Sequence, residues 1–245
     1  MRVLAALVVS FLLAAASRAA TIEGRYVATW AGLPAGEIAM RIDDDGAEHR
    51  SRLDIRTEGL PRWLTRFKGT IVSEGRIAPD GNAQPRRYDA RYDLRKRKDK
   101  LSSLRFVSKA GTLVARRGPG DTSKKPPIAE DFRRGVVDPL SALVAVRHRI
   151  LAGRLDPGGR FLIPVFDGSR RFDAEGIVAR RDGRVHVGLL LKPIAGFGDD
   201  RPDEGEDAKS NPREVRIELT DDARLIPIRL EAMIARLPAV VRLAG

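Results

Sequence analysis

The side chains with chemistry to offer are few and scattered. Three histidines, His49, His148 and His186, fall at no metal-ligand spacing such as i, i+4 on a helix. There is no cysteine, so thiolate chemistry, disulfides and cysteine-bound metals are out of reach. Asp167 and Asp173 would make an acid and base pair if one carboxyl were desolvated. They flank Arg170 and Arg171, and ion pairing is the plainer role for all four. The chain has no Gly-x-Ser-x-Gly elbow, phosphate loop or dinucleotide fingerprint. Asp43-Asp44-Asp45-Gly46 lacks the alternating oxygen ligands and distant glutamate of a calcium loop and reads as a hairpin turn. The expectation is a protein without catalytic residues, metal or cofactor. A hydrolase built on the aspartate pair is the alternative.

One helix must position whatever site exists. Asp138 is a good N-cap, Pro139 suits the first helical position, and Gly153 is a ready stop, so a helix is expected over about 138–152. At helical spacing Leu140, Leu143, Val144, Ile150 and Leu151 share an apolar face, with Ser141, Ala145, His148 and Arg149 opposite. Arg147 breaks this division, because it falls inside the apolar arc. Two readings follow: it snorkels out near the helix end, or it forms an internal pair with Asp167 or Asp173.

Nearly everything else alternates with a period of two. Residues 49–57 are the clearest case, with Ser51, Leu53, Ile55 and Thr57 on one face and Arg50, Arg52, Asp54 and Arg56 on the other. About a dozen such strands, separated by turn signals, predict a mainly β fold. The expected form is a large antiparallel sheet curled into an open barrel or β-spiral around the one central α-helix. Leu60, Trp63, Leu64 and Phe67 share one side of a helical turn, read as a short plug over the sheet or as an ordinary connection. If the barrel encloses a cavity, Trp63 and Phe67 are its aromatic plug, and Trp30, Trp63, Phe161 and Phe166 are its candidate lining. A filled core is the alternative. The basic run 95–100 reads as a hairpin tip, and residues 196–212 as a long mobile loop.

Met1-Arg2, an apolar run over residues 3–16 and Ser17-Arg18-Ala19 have the form of a signal peptide, with cleavage expected after Ala19 or Ala20. Residues 20–245 would then form a single β-rich domain, exported to the periplasm. The formal charge of +12, about +10 without Arg2 and Arg18, favours anionic partners such as lipid head groups or envelope polymers. An exported protein is not expected to meet nucleic acid. The sequence leaves the oligomeric state open.

Four stretches carry a family resemblance. They are Trp30-Ala31-Gly32-Leu33-Pro34-Ala35-Gly36-Glu37, Asp138-Pro139-Leu140-Ser141-Ala142-Leu143 with Arg147, Val165-Phe166-Asp167-Gly168-Ser169-Arg170-Arg171-Phe172-Asp173, and Leu225-Ile226-Pro227-Ile228. In this order, behind a signal peptide, the chain resembles the exported bacterial domain-of-unknown-function family 3108. Phe172 stands where tyrosine is expected. The resemblance implies an antiparallel β-rich envelope protein and brings no catalytic residues. The function expected is binding of an apolar or amphiphilic envelope ligand, or envelope maintenance through a basic surface.

Overall fold

The structure, a computed structural model, describes residues 20–245 apart from 60–66, 95–96, 125–126, 198–210 and 235. Trp63 with most of its expected plug, and the centre of the expected loop 196–212, lie outside the described residues.

Among the described residues the alternating segments form thirteen strands, each antiparallel to its neighbours. Seven precede the helix: β1 (Ala20–Trp30), β2 (Leu33–Asp44), β3 (Glu48–Thr57), β4 (Lys68–Ile77), β5 (Ala83–Leu94), β6 (Arg97–Lys109) and β7 (Thr112–Arg117). A 3-10 turn (Glu130–Arg133) leads to the helix α1 (Pro139–Leu151). Six strands follow: β8 (Arg160–Phe166), β9 (Arg171–Arg181), β10 (Arg184–Ala195), β11 (Arg213–Thr220), β12 (Pro227–Ile234) and β13 (Leu237–Leu243). Each half is a simple meander. The halves join where β1 pairs with β13, from Tyr26↔Leu243 to Trp30↔Ala239. The result is a nearly closed barrel whose sheet has its two edges at β7 and β8.

Those edges do not face each other bare. The segment before α1 runs between them. Arg134 bridges to Val114 on β7, and Val137 bridges to Val165 on β8. Gly135 N–H donates to Leu113 O at 2.8 Å, Val137 N–H to Pro164 O at 2.9 Å, and Phe166 N–H to Val137 O at 2.9 Å. A short connector thus satisfies edge groups on both sides, which open sheets otherwise leave as a hazard. The basic run partly joins the wall too, since Arg97 pairs with Leu94 and Lys100 with Tyr92. β6 therefore begins four residues before the expected Leu101.

From the seam the chain turns inward and α1 runs through the barrel. Asp138 caps it as the sequence predicts: its Oδ1 accepts from the N–H groups of Leu140 and Ser141, both at 3.0 Å. Its Oδ2 accepts from the hydroxyls of Ser141 at 2.6 Å and Ser73 at 2.9 Å. The expected division into apolar and polar faces does not hold. Ser141 and Ala145 are buried, while Leu151 is exposed. The cause is the barrel wall, which surrounds the helix and gives it no solvent side along most of its length. Val144 packs with Ile22, Tyr26, Met40, Ile42 and Ile77 of the first half. Val146 and Ile150 pack with Phe161, Ile163, Val178 and Val187 of the second.

Outward positions are charged. Arginines pair with the carboxylate two residues on along the same strand face: Arg41 with Asp43, Arg52 with Asp54, Arg87 with Asp89, Arg171 with Asp173 and Arg229 with Glu231.

Asp138 joins the start of the helix to the sheet, so Asp138→Ala removes a cap and leaves two buried hydroxyls without their acceptor. The expected loss in urea unfolding is about 2–4 kcal/mol. Asp138→Asn, which keeps an acceptor oxygen, is expected to lose less.

Candidate functional site

Two ionic groups lie buried at opposite ends of α1, and the barrel wall answers each. At the first turn, Asp138 is 0% exposed. Burial raises its pKa, against the lowering effect of the four donors described above. Ser141, whose hydroxyl proton goes to Asp138, has its oxygen 3.0 Å from Ser73 Oγ and 3.4 Å from His49 Nε2. His49 lies inside the barrel opposite Gly75, where a Cβ would come within 2.9 Å of its Nε2. Burial pulls the His49 pKa from the ordinary 6.5 down to about 4. His49 Nδ1 and the neighbouring Ser51 Oγ are buried without a hydrogen-bond partner among the described residues.

Near the other end, Arg147 is 1% exposed. It forms an internal pair, but with Asp44 at 3.5 Å rather than with Asp167 or Asp173. Its guanidinium also donates to Arg224 O at 2.7 Å. Asp44 meets His148 Nε2 at 2.5 Å and accepts from Gly46 N–H at 2.8 Å. Burial raises the Asp44 pKa, but His148, Gly46 N–H and Arg147 outweigh it and the net shift is downward. Burial lowers the Arg147 pKa, and Asp44 acts against that.

The earlier alternatives for Arg147 fail for a topological reason. Asp167 and Asp173 belong to the β8–β9 turn and the strand after it, at the other end of the barrel from the last turns of α1. Asp167 instead holds its own turn, accepting from Ser169 N–H at 2.8 Å and Arg170 N–H at 2.7 Å. Asp173 pairs with Arg171, and Arg170 lies over the ring of Phe197, 5.5 Å from its centroid. The proposed acid and base pair is thus two locally satisfied aspartates. Among the described residues no group of three or more histidine and carboxylate side chains is placed to hold a metal ion.

Beside the helix lies a cavity of about 300 Å³. Pro139, Ala142, Leu143 and Val146 form its helix side, and residues of β8 to β12 form the opposite wall, among them Phe161, Phe172, Leu191, Ile217 and Leu230. Every lining residue is apolar. Phe161 fits there because its ring lies across Gly176, where a Cβ would collide with it. At the open end, where the β1–β2, β8–β9 and β12–β13 turns meet, a second chamber measures about 810 Å³. Trp30, Phe67, Tyr88, Tyr92 and Val241 give it an apolar wall, and Ser102 and Asp167 give it polar points. Phe67 stacks on Tyr92 with ring centroids 6.1 Å apart.

Of the aromatics expected to line a cavity, Phe161 lines the inner one and Trp30 the outer, where Phe67 of the expected plug also lies. Phe166 does not: it is packed in the core with Tyr88, Leu104 and Val136. The sequence reading missed Phe172, and it missed His49 and Asp44 as internal residues. Both continue the inward alternation of their strands, His49 with Ser51 and Asp44 with Met40 and Ile42.

A nearly closed antiparallel barrel with a polar-anchored helix inside and apolar chambers beside it defines a class of β-barrel-like proteins. Within that class, the chain belongs to the family described as protein of unknown function DUF3108, whose profile matches residues 25–235. Its fold is similar to that of a β-barrel-like protein with the domain of unknown function DUF1849 from Brucella abortus. The TM-score is 0.55 at 12% identity, over 93% of this chain and 96% of that one. No functionally curated protein matches the chain.

Two outcomes test this arrangement. Arg147→Ala leaves Asp44 without its guanidinium and is expected to cost on the order of 3–5 kcal/mol in denaturant unfolding. Arg147→Met, which refills the space, should cost less. For His49 the folded pKa lies below the unfolded one, so the unfolded chain binds the proton more readily. Stability is therefore lost as pH falls from about 6.5 to about 4. The loss attributable to His49 approaches about 3 kcal/mol, read as the difference in pH slope between wild type and His49→Gln.

Proposed function

We propose that the protein is an exported, periplasmic, non-enzymatic binder of an apolar or amphiphilic ligand of the cell envelope. The observation that carries this reading is the inner cavity, about 300 Å³ and lined by apolar residues alone. A partly open apolar hollow of this kind gains by taking up apolar surface in place of water, and a hydrocarbon chain would supply it. Both chambers are of the size that binds small molecules, roughly 300–1,000 Å³. The outer one adds Ser102 and Asp167 for the polar end of an amphiphile.

The N-terminal signal-like segment supports export. Among the described residues no helix is long and apolar enough to cross a membrane. The ion pairs on the outer strand faces are unlike the apolar band that a membrane barrel presents to lipid. The second reading, an interaction protein using a basic surface, draws on the net charge, about +10 without Arg2 and Arg18. It is weakened by the same pairs, which already give many outward arginines a carboxylate. A carboxylate-pair hydrolase has less support still, because Asp167 and Asp173 are each satisfied by their own neighbours.

Native mass spectrometry of protein recovered from its own periplasm, in low and high salt, tests the reading. The expected result is an adduct of lipid size that survives high salt and is lost in Ala142→Phe, which fills the cavity from the helix side. A bare mass for the wild type in both conditions would leave the cavity without a ligand and the basic-surface reading ahead.

A further inference from the structure

Beside the mouth of the outer chamber, two neighbouring hairpins form an apolar tip. The β1–β2 turn presents Leu33, and the β12–β13 hairpin presents Met233, Ile234 and Leu237. These four side chains are between 40% and 53% exposed. The hairpins are tied together: Ala31 N–H donates to Pro238 O at 2.8 Å, and the Trp30 indole N–H donates to Ile234 O at 3.2 Å.

The charge pattern changes at this place. Charged residues make up 32% of the chain, yet residues 30–36 contain none and residues 232–241 contain only Arg236. Arg236 is exposed and has no ion-pair partner among the described residues. Two hairpin segments with a single arginine between them differ from the rest of the outer wall, where charge alternates with charge.

We propose that this tip docks the protein on an anionic lipid bilayer, with Leu33, Ile234 and Leu237 entering the interfacial region and Arg236 meeting lipid phosphates. Two features favour a bilayer over a protein partner. The Trp30 indole and the Ala31 amide already have acceptors, so entering a region poor in water orphans neither donor. The overall charge, about +10 without Arg2 and Arg18, and Arg236, without an ion-pair partner among the described residues, complement anionic head groups, while the leucines and isoleucine supply the apolar area that such binding also requires. Trp30 and Ile234 line the outer chamber as well as the tip, so docking would place the chamber mouth at the lipid surface. The inference goes beyond the ligand reading and does not depend on what the chambers hold.

The test is co-flotation of the soluble protein with vesicles of phosphatidylglycerol and phosphatidylethanolamine, against vesicles of phosphatidylcholine alone. The wild type is expected to float with the anionic vesicles, more weakly in high salt but still measurably. Leu33→Ser with Leu237→Ser, both at exposed positions, should lose about tenfold or more of that binding with an unchanged circular dichroism spectrum. Arg236→Ser should weaken binding to anionic vesicles and leave the phosphatidylcholine result unchanged. The paired variant has whatever N-terminus the wild type has, so the comparison reads the tip alone. Ala142→Phe, which blocks the inner cavity, should float like the wild type, which separates failure of docking from failure of ligand binding. Three results would overturn the proposal: no flotation of the wild type, full flotation of the paired serine variant, or complete release by salt. If the wild type does not float but self-associates, and the paired variant is monomeric, the tip is an interface between copies of this chain instead.

Discussion

Ionic groups buried at the two ends of one helix set the terms for the rest of the barrel. Taking a carboxylate or a guanidinium out of water costs several kcal/mol unless partners replace the solvent. Here the partners come from one half of the wall. Ser73 on β4 answers Asp138, His49 on β3 approaches Ser141, Asp44 on β2 answers both Arg147 and His148, and Asn82 in the β4–β5 turn meets Arg149. The second half contributes the Arg224 carbonyl to Arg147 and otherwise meets the helix through apolar contacts. The polar bonds thereby fix the rotation of α1 about its own axis. With residues 138, 141 and 148 turned to β2–β4, Pro139, Ala142, Leu143 and Val146 are left facing β8–β12, where the inner cavity opens. A binding chamber and a polar anchor are two sides of the same helix.

Local signals in the sequence reached far into this structure, and non-local ones did not. Asp138-Pro139 marks the helix start within two residues, and period-two alternation marks strands within five to ten. Both are short-range properties, and the structure shows both. Arg147 is visible as a misfit because helical spacing puts it among leucines. Its partner is not visible, because Asp44 is more than 100 residues away and meets it only once the barrel has wrapped round. Strand parity narrows the choice. Asp44 extends the inward series of Ile38, Met40 and Ile42, His49 extends that of Ser51 and Leu53, and Ser73 shares a face with Ile71 and Ile77. Polar residues at inward parity are the signal that something internal must pair with them. The expected two-faced helix failed for the complementary reason. Amphipathic spacing describes a helix lying on a core, and this one lies within a ring.

Similarity to the DUF1849 barrel at 12% identity shows that the architecture tolerates extensive change in sequence. The physical reason lies in the outer wall. A strand surface built from Arg-x-Asp and Arg-x-Glu pairs needs the right alternation and the right signs more than particular residues, and exposed pairs of this kind each contribute little, about 0–1 kcal/mol. The barrel therefore rests mainly on its core clusters and internal anchors, where a single change has a named partner to lose.

The ring order also divides the helix's partners along the chain. β1 pairs on one side with β2, its neighbour in sequence, and on the other with β13, the last of the described strands. The polar partners of α1 on β2, β3 and β4 all precede it, and the strands that cover its apolar side follow it. The final strand, Leu237–Leu243, is the last stave. A chain lacking it would keep its helix anchors yet leave both β1 and β12 as templates for other chains, the situation in which sheets grow into aggregates. The few residues nearest the C-terminus thus decide whether the molecule is a closed vessel or an adhesive one.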